Sequence, residues 1–203
     1  MKKHDLPTTA DLGLDIDLDK LRTETDKLSL KYVDVKTANP MLCDNHMELV
    51  GSVYDNFEQI NLTEPSEILP YEASIKERLR RREEHLYNVP TDDYIGSYFQ
   101  EIITQLKAPA SRIRITKLAP GKIIPWHVDY DVSYAVRCIV PVYGGDNVVN
   151  LFKRNKKLEA YNLKDGTANF LNIGYPHAVV NMGEESRIAL MFSLDGTDDL
   201  ASL

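Results

Sequence analysis

The chain has 203 residues, 43% hydrophobic and 27% charged, with a net charge of -7 and a pI near 5.3. This composition supports a globular core of ordinary size, and the acidity argues against a broad footprint for nucleic acid or anionic membrane, leaving a small molecule, peptide or protein as the expected partner. Two cysteines, Cys43 and Cys138, with no C-x-x-C spacing, suggest neither a disulfide framework nor a cysteine-rich zinc site; with no apolar leader and no bilayer-length apolar window, the expected location is the cytoplasm.

In chain order, "DLDKLRTETDKL" places Leu18, Leu21 and Leu28 on roughly one helical face, and "LKYVDV" and "HMELVGSVYD" read as short strands. Two further helices are expected. One runs through "ASIKERLRRREEHLY" and ends before Pro90; the other, "DDYIGSYFQEIITQLK", opens on Asp92 and Asp93 and stops before Pro109. The basic run "KERLRRREEH" reads as a solvated helix face, because Glu77, Glu83 and Glu84 are interleaved at helical pairing distances.

Beyond Pro109 the periodicity changes. "RIRITKL", "KIIPWHVD", "YAVRCIVPVY", "NVVNLFK", "KLEAYNL", "TANFLNI", "HAVVNM" and "RIALMFSL" are eight candidate strands, punctuated by Pro120-Gly121, Gly144-Gly145, Asp165-Gly166, Gly174 and Gly183. Eight short antiparallel strands at this spacing predict a double-sheet jelly roll. The expectation is therefore a mainly β, α+β chain: residues 1–109 pack helices and short strands onto a cupin-like, double-stranded β-helix core at 110–203.

The stretch "PWHVDYD" carries the chemistry. Residues i and i+2 of a strand share a face, so His127 and Asp129 can converge on one point. His177, in the seventh candidate strand, supplies a second imidazole if the fold brings that strand beside the second. Two imidazoles and one carboxylate on one side of an ion suit non-haem Fe(II) and leave room for a cosubstrate and O₂. Arg187 opens the last strand ahead of the apolar "IALMF", where a guanidinium without an anion is costly. Arg137 sits inside "AVRCIVPV" and likewise needs a negative partner, either a cosubstrate or a structural ion pair.

Other groups have plainer readings. Trp126, the only tryptophan, alternates away from His127 and is expected in the core; His85 is expected at the surface; Tyr130, Asp131 and Tyr134 form either substrate contacts at the barrel mouth or an exposed turn.

Residues 111 to 194 resemble the aspartyl/asparaginyl β-hydroxylase family of Fe(II)/2-oxoglutarate dioxygenases. "ITKLAPGKIIPWHVD", with its Pro-Gly turn ahead of a metal histidine, and "HAVVNMGEESRIALMFSLD", with arginine ten residues after histidine, carry the likeness. The resemblance implies that His127, Asp129 and His177 bind iron and that Arg187 grips the distal carboxylate of 2-oxoglutarate. Arg137, with a one-residue offset, and Thr116 match positions that help hold the cosubstrate's other end. The implied reaction is hydroxylation of an amino acid, a peptide or protein side chain or a related small metabolite, consuming O₂ and releasing succinate and CO₂. The presence of Asp129 favours hydroxylation over halogenation, because related halogenases lose that carboxylate. The rival is a cupin-like protein that uses the same triad for non-redox metal or ligand binding; it has no need of a buried cation beside the metal.

Overall fold

Strand alternation after Pro109 produces two facing sheets. The computed structural model describes residues 3–41, 57–70 and 72–201. In chain order its main elements are β1 (Thr9–Asp11), α1 (Leu18–Asp26), β2 (Val33–Asp34), α2 (Val35–Ala38), β3 (Phe57–Asn61), β4 (Thr63–Pro65), α3 (Ile75–Arg80), α4 (Glu83–Leu86), β5 (Tyr87–Pro90) and α5 (Tyr98–Ile103). Eight longer-range strands follow: β6 (Ala110–Leu118), β7 (Ile123–His127), β8 (Val136–Tyr143), β9 (Val148–Arg154), β10 (Lys157–Asn162), β11 (Asn169–Leu171), β12 (His177–Asn181) and β13 (Arg187–Leu194). The large sheet has the order β1-β11-β8-β13-β6-β3-β2 and the small sheet β10-β9-β12-β7, all pairs antiparallel. The chain thus passes back and forth between the layers from β6 to β13, which is the double-stranded β-helix of a jelly roll.

The large sheet is covered on both faces, which explains the unbroken apolar run of β8. Val136, Cys138, Val140 and Val142 join Leu21, Phe99 and Ile102 in the core under the helices, while Ile139 packs with Phe152, Leu171, Ile173 and Ala189 between the sheets. The same period of two turns Ile113, Ile115, Leu190 and Phe192 toward the helix layer. Arg114, Arg137 and Met191 take the alternate positions and line a cavity between the sheets. Phe99, Ile102, Leu190 and Phe192 are each 0% exposed, and burying such a side chain contributes roughly 1.5–3 kcal/mol.

The N-terminal half departs from the pattern read in its sequence. The strand expected in "LKYVDV" is confined to Val33–Asp34 and passes directly into the single turn of α2; "HMELVGSVYD", Cys43 and His46 lie outside the described residues. The long helix expected over "ASIKERLRRREEHLY" is broken in two at Arg82, whose φ of 54° is left-handed, and its end becomes β5. Tertiary demands on its charges account for the break. Arg78 is 3% exposed and donates to the carbonyls of Ala73, Met41 and Pro70 and to Glu83, while Glu84, 0% exposed, turns into an arginine cluster. The face expected to be solvated is therefore buried in part. The next helix opens on Ser97, whose hydroxyl accepts the Gln100 N–H at 3.3 Å, because Gly96 at φ 71° ends the preceding turn; Asp93 pairs with Lys31 instead of opening the helix. No helix among the described residues is long and apolar enough to cross a membrane.

Gly145, in the reversal between β8 and β9, is required by close approach. A Cβ there would sit 2.2 Å from the Leu163 carbonyl oxygen and 2.7 Å from the Pro141 Cβ. Gly145→Ala is expected to cost about 1–3 kcal/mol through overpacking and lower the thermal midpoint by roughly 2–4 °C per kcal/mol, as read by calorimetry. An unchanged midpoint would contradict this packing.

Candidate metal centre

β7 and β12 lie side by side, with His127 opposite His177. The next pair in register is Val179 with Ile124, so three steps along β7 match two along β12. This bulge lets Ile124 and His127 both face the cavity, which strict alternation forbids, while Trp126, next to His127, alternates to the outer face. Trp126 is 42% exposed under the Lys153 ammonium, 4.2 Å from its ring centroid, rather than in the core. β7 ends at His127. Asp129 is therefore placed by a loop hydrogen bond, its N–H donating to the Ile173 carbonyl at 3.1 Å, and not by strand pleating as its sequence context suggested.

The three side chains meet. His127 Nε2 lies 3.8 Å from Asp129 Oδ1, His177 Nε2 lies 4.0 Å from Asp129 Oδ2, and one ligand atom from each residue can be chosen so that all fall within 4.8 Å of one another. Each imidazole is oriented from behind. His127 Nδ1 is 2.7 Å from the Pro125 carbonyl and His177 Nδ1 is 3.0 Å from the Tyr175 carbonyl, so Nδ1 carries the proton and donates while Nε2 presents its lone pair. His177 is 5% exposed and stacked on Phe152, with centroids 5.7 Å apart. Burial first, and His127 beside it second, push its pKa down to about 4, so the ring is neutral and able to ligate at neutral pH. Two imidazole Nε2 atoms and one carboxylate within reach of a single ion fit a divalent transition metal, Fe(II) and Zn(II) included.

The cavity holding this triad encloses about 110 Å³ and is lined in addition by Arg114, Arg137, Arg187, Asn150, Phe152 and Met191. Arg187 is 4% exposed, forms no ion pair among the described residues, and its buried Nε has no hydrogen-bond partner. Burial lowers its pKa to about 10, which leaves it charged at neutral pH. Arg137 gives one nitrogen to Glu84 at 2.7 Å, while its buried Nη1 has no partner. Thr116 is 0% exposed, donates to the Ala189 carbonyl at 3.3 Å and lies beside Met191 without lining the cavity itself.

Tyr130, Asp131 and Tyr134 lie away from the lining. The Tyr130 and Tyr134 rings lie 4.5 Å apart, tilted by 36°, Tyr134 OH accepts the Glu84 N–H, and the Asp131 carboxylate accepts the Ser133 N–H. His85, expected at the surface, is half-buried and bonded to Ser111 Oγ and the Tyr134 carbonyl.

Two groups escaped the sequence reading. Arg114 could have been found by alternation, since it lies two residues before Thr116 on the same strand. Glu84 carried no signal in its charge run, yet it is the buried hub: Arg112 Nη1 at 2.6 Å, Arg137 Nη2 at 2.7 Å and Ser193 Oγ at 2.7 Å all donate to it. Burial opposes its ionisation, but Arg112, Arg137 and Arg114 outweigh that and hold the carboxyl far below the usual carboxylate range. A depressed carboxyl pKa contributes stability that is fully present above the unfolded value, about 4.3 for glutamate, and is lost as pH falls through the folded value. Glu84→Gln is thus expected to lower stability at pH 7 by about 3–5 kcal/mol by stranding buried guanidiniums, and to flatten the acid limb of the stability curve below roughly pH 4. Urea unfolding across pH checks both; an unchanged acid limb would remove Glu84 from this role.

No protein-family model matches the chain, and no curated protein matches it significantly. Solved structures are similar at low identity. A 2OG-Fe(II) oxygenase-family oxidoreductase from Burkholderia pseudomallei aligns with a TM-score of 0.42 and 13% identity over 69% of this chain and 68% of its own. A cupin domain from Bordetella pertussis Tohama I gives 0.34 and 17% over 45% and 88%, and the oxalate decarboxylase of Lactobacillus farciminis, as its formate complex, gives 0.38 and 12% over 70% and 29%. These are likenesses of fold alone.

Proposed function

We propose that the protein is an Fe(II)- and 2-oxoglutarate-dependent dioxygenase that hydroxylates an amino acid, a peptide or protein side chain or a related small metabolite. Arg187 is the observation that carries this reading. A buried guanidinium with no acid partner among the described residues, in the same cavity as a two-histidine, one-carboxylate triad, calls for an anionic ligand that also reaches the metal. A dicarboxylate cosubstrate satisfies both requirements.

Register along β13 supports the geometry. Arg187 pairs with Leu118 at the end of β6, whereas the triad lies at the end of the barrel where β6 begins, because β7 returns from the β6–β7 turn and finishes at His127. The distal carboxylate of 2-oxoglutarate would therefore lie at the closed end on Arg187's planar fork, with its 2-oxo acid end toward the triad. Ferrous iron, when bound, supplies the activation of O₂ that couples oxidative decarboxylation of 2-oxoglutarate to oxidation of the substrate. The chain's own contribution is to hold the imidazoles as Nε2 donors through the Pro125 and Tyr175 carbonyls, to fix the diacid at one end, and to exclude water with Phe152, Ile139 and Ile173.

Anaerobic addition of Fe(II) and then 2-oxoglutarate to the purified protein is expected to produce the weak visible charge-transfer band of the chelate, followed by succinate on admission of air. Tight zinc binding with neither band nor succinate would instead identify a non-redox, cupin-like metal-binding protein.

A further inference from the structure

Two of the backbone carbonyls that stand behind the triad belong to one short loop. Between β11 and β12, Ile173 accepts the Asp129 N–H at 3.1 Å and Tyr175 accepts the His177 Nδ1–H at 3.0 Å, so the loop 172–176 places two of the three ligands. A loop is a poor support unless something holds it. Connecting segments open at lower free energy than the sheets they join, whereas a metal ligand must be kept within about 0.5 Å and 10–20° of its working geometry.

The holding comes from the other end of the chain. Residues 4–8 run across this loop before entering β1, whose Thr9 pairs with Leu171. The Thr8 carbonyl accepts the Asn172 N–H at 2.9 Å, and the Pro7 carbonyl accepts the Asn172 side-chain amide at 3.2 Å. His4 Nδ1 shares a 3.0 Å hydrogen bond with the Tyr175 hydroxyl, a contact between residues 171 positions apart. Arg154, from β9, ties these two together: its guanidinium lies 5.5 Å from the Tyr175 ring centroid, and its Nη2 donates to the His4 carbonyl at 3.4 Å. The segment is anchored in turn. Leu6 is buried in the core under the helices, and the buried Thr8 hydroxyl donates, with Tyr161 OH, to Glu159 Oε2 on β10.

We propose that residues 4–8 are a positioning strap for the metal centre, acting through Asn172 and Tyr175 on the carbonyls that aim Asp129 and His177. No strap residue lines the cavity, so the strap works through the loop and not on the ion itself. The inference rests on the triad holding a divalent metal; it needs neither 2-oxoglutarate nor turnover. Losing an outer partner of a metal ligand costs about 10–100-fold in affinity, and a support one step further back belongs at the low end of that range.

Cobalt(II) titration of the full chain, read by its visible d–d bands and by competition with a chromophoric chelator, reports ligand geometry and affinity separately. Asn172→Ala is expected to weaken cobalt binding about tenfold and to change the positions or intensities of the bands. His4→Phe combined with Thr8→Val leaves the loop's own sequence intact and is expected to weaken binding roughly threefold or more, with the same spectral change. Gly145→Ala, at the opposite end of the barrel, is the control: it lowers the unfolding midpoint and should leave both cobalt readouts native. Native affinity and spectrum in both the Asn172 and the strap variants would overturn the proposal, as would a Gly145→Ala effect as large as theirs, which would trace the change to stability alone. Proton–nitrogen correlation NMR of the histidine rings in the metal-free chain is an arm that needs no metal. His177 is expected as a single Nδ1–H tautomer in the native chain and as a mixture or an exchange-broadened signal in the variants. If the native chain binds no cobalt, the metal-centre reading fails, and the tautomer comparison still decides the strap: an unchanged Nδ1–H signal in the variants rejects it.

Discussion

Arg187→Met is expected to weaken 2-oxoglutarate binding about 100-fold or more and, at the same time, to make the ligand-free protein more stable by roughly 1–3 kcal/mol. The two effects have one origin. A charge-assisted hydrogen bond is worth about 1.5–3 kcal/mol, so losing two of them from a planar fork removes at least two decades of affinity. The same guanidinium is 4% exposed without an acid partner among the described residues, and replacing such a buried ion by an apolar side chain of similar length often stabilises by about 1–4 kcal/mol. Anaerobic titration of the iron–2-oxoglutarate band measures the first effect and urea unfolding of the metal-free protein the second. Native-like affinity in the variant would remove Arg187 from cosubstrate binding; a loss of stability above about 3 kcal/mol would show that it was paired after all.

His127→Ala and His177→Ala are each expected to abolish succinate formation and to lower metal affinity more than about 100-fold. Removing even the outer partners of a metal ligand costs 10–100-fold, and a direct ligand costs more. The two variants should differ in stability. His177 is buried and stacked on Phe152, so its truncation also opens a void in the core between the sheets, whereas the half-buried His127 leaves less behind. Metal content after dialysis, succinate by mass spectrometry and the unfolding midpoint separate the two contributions. Undiminished turnover in both variants excludes these residues as ligands.

The strands from β6 to β13 were legible because alternation, β-branched composition and Gly or Pro punctuation are local properties of the chain. The short β2 and the broken helix at Arg82 were not, because distant partners decided them: β2 is held by pairing with β3, and Arg78 and Glu84 leave a helical surface to reach carbonyls and arginines far along the sequence. Trp126 shows the same limit. Alternation correctly sent it away from His127, but the alternation rule does not say whether anything covers that outer face, and among the described residues only the Lys153 ammonium stacks there.

The sequence by itself determined which residue types could bind a metal and an anion, and the order of strands able to carry them, since both follow from side-chain chemistry and a period of two. Only the tertiary structure decided that a bulge in β7 aims His127 inward, that a loop rather than a strand delivers Asp129, that Arg114 lines the cavity, and that Glu84 holds Arg137 from behind it. Each of those depends on register and burial, which are set by contacts between residues remote in the chain and leave no mark on their neighbours in sequence.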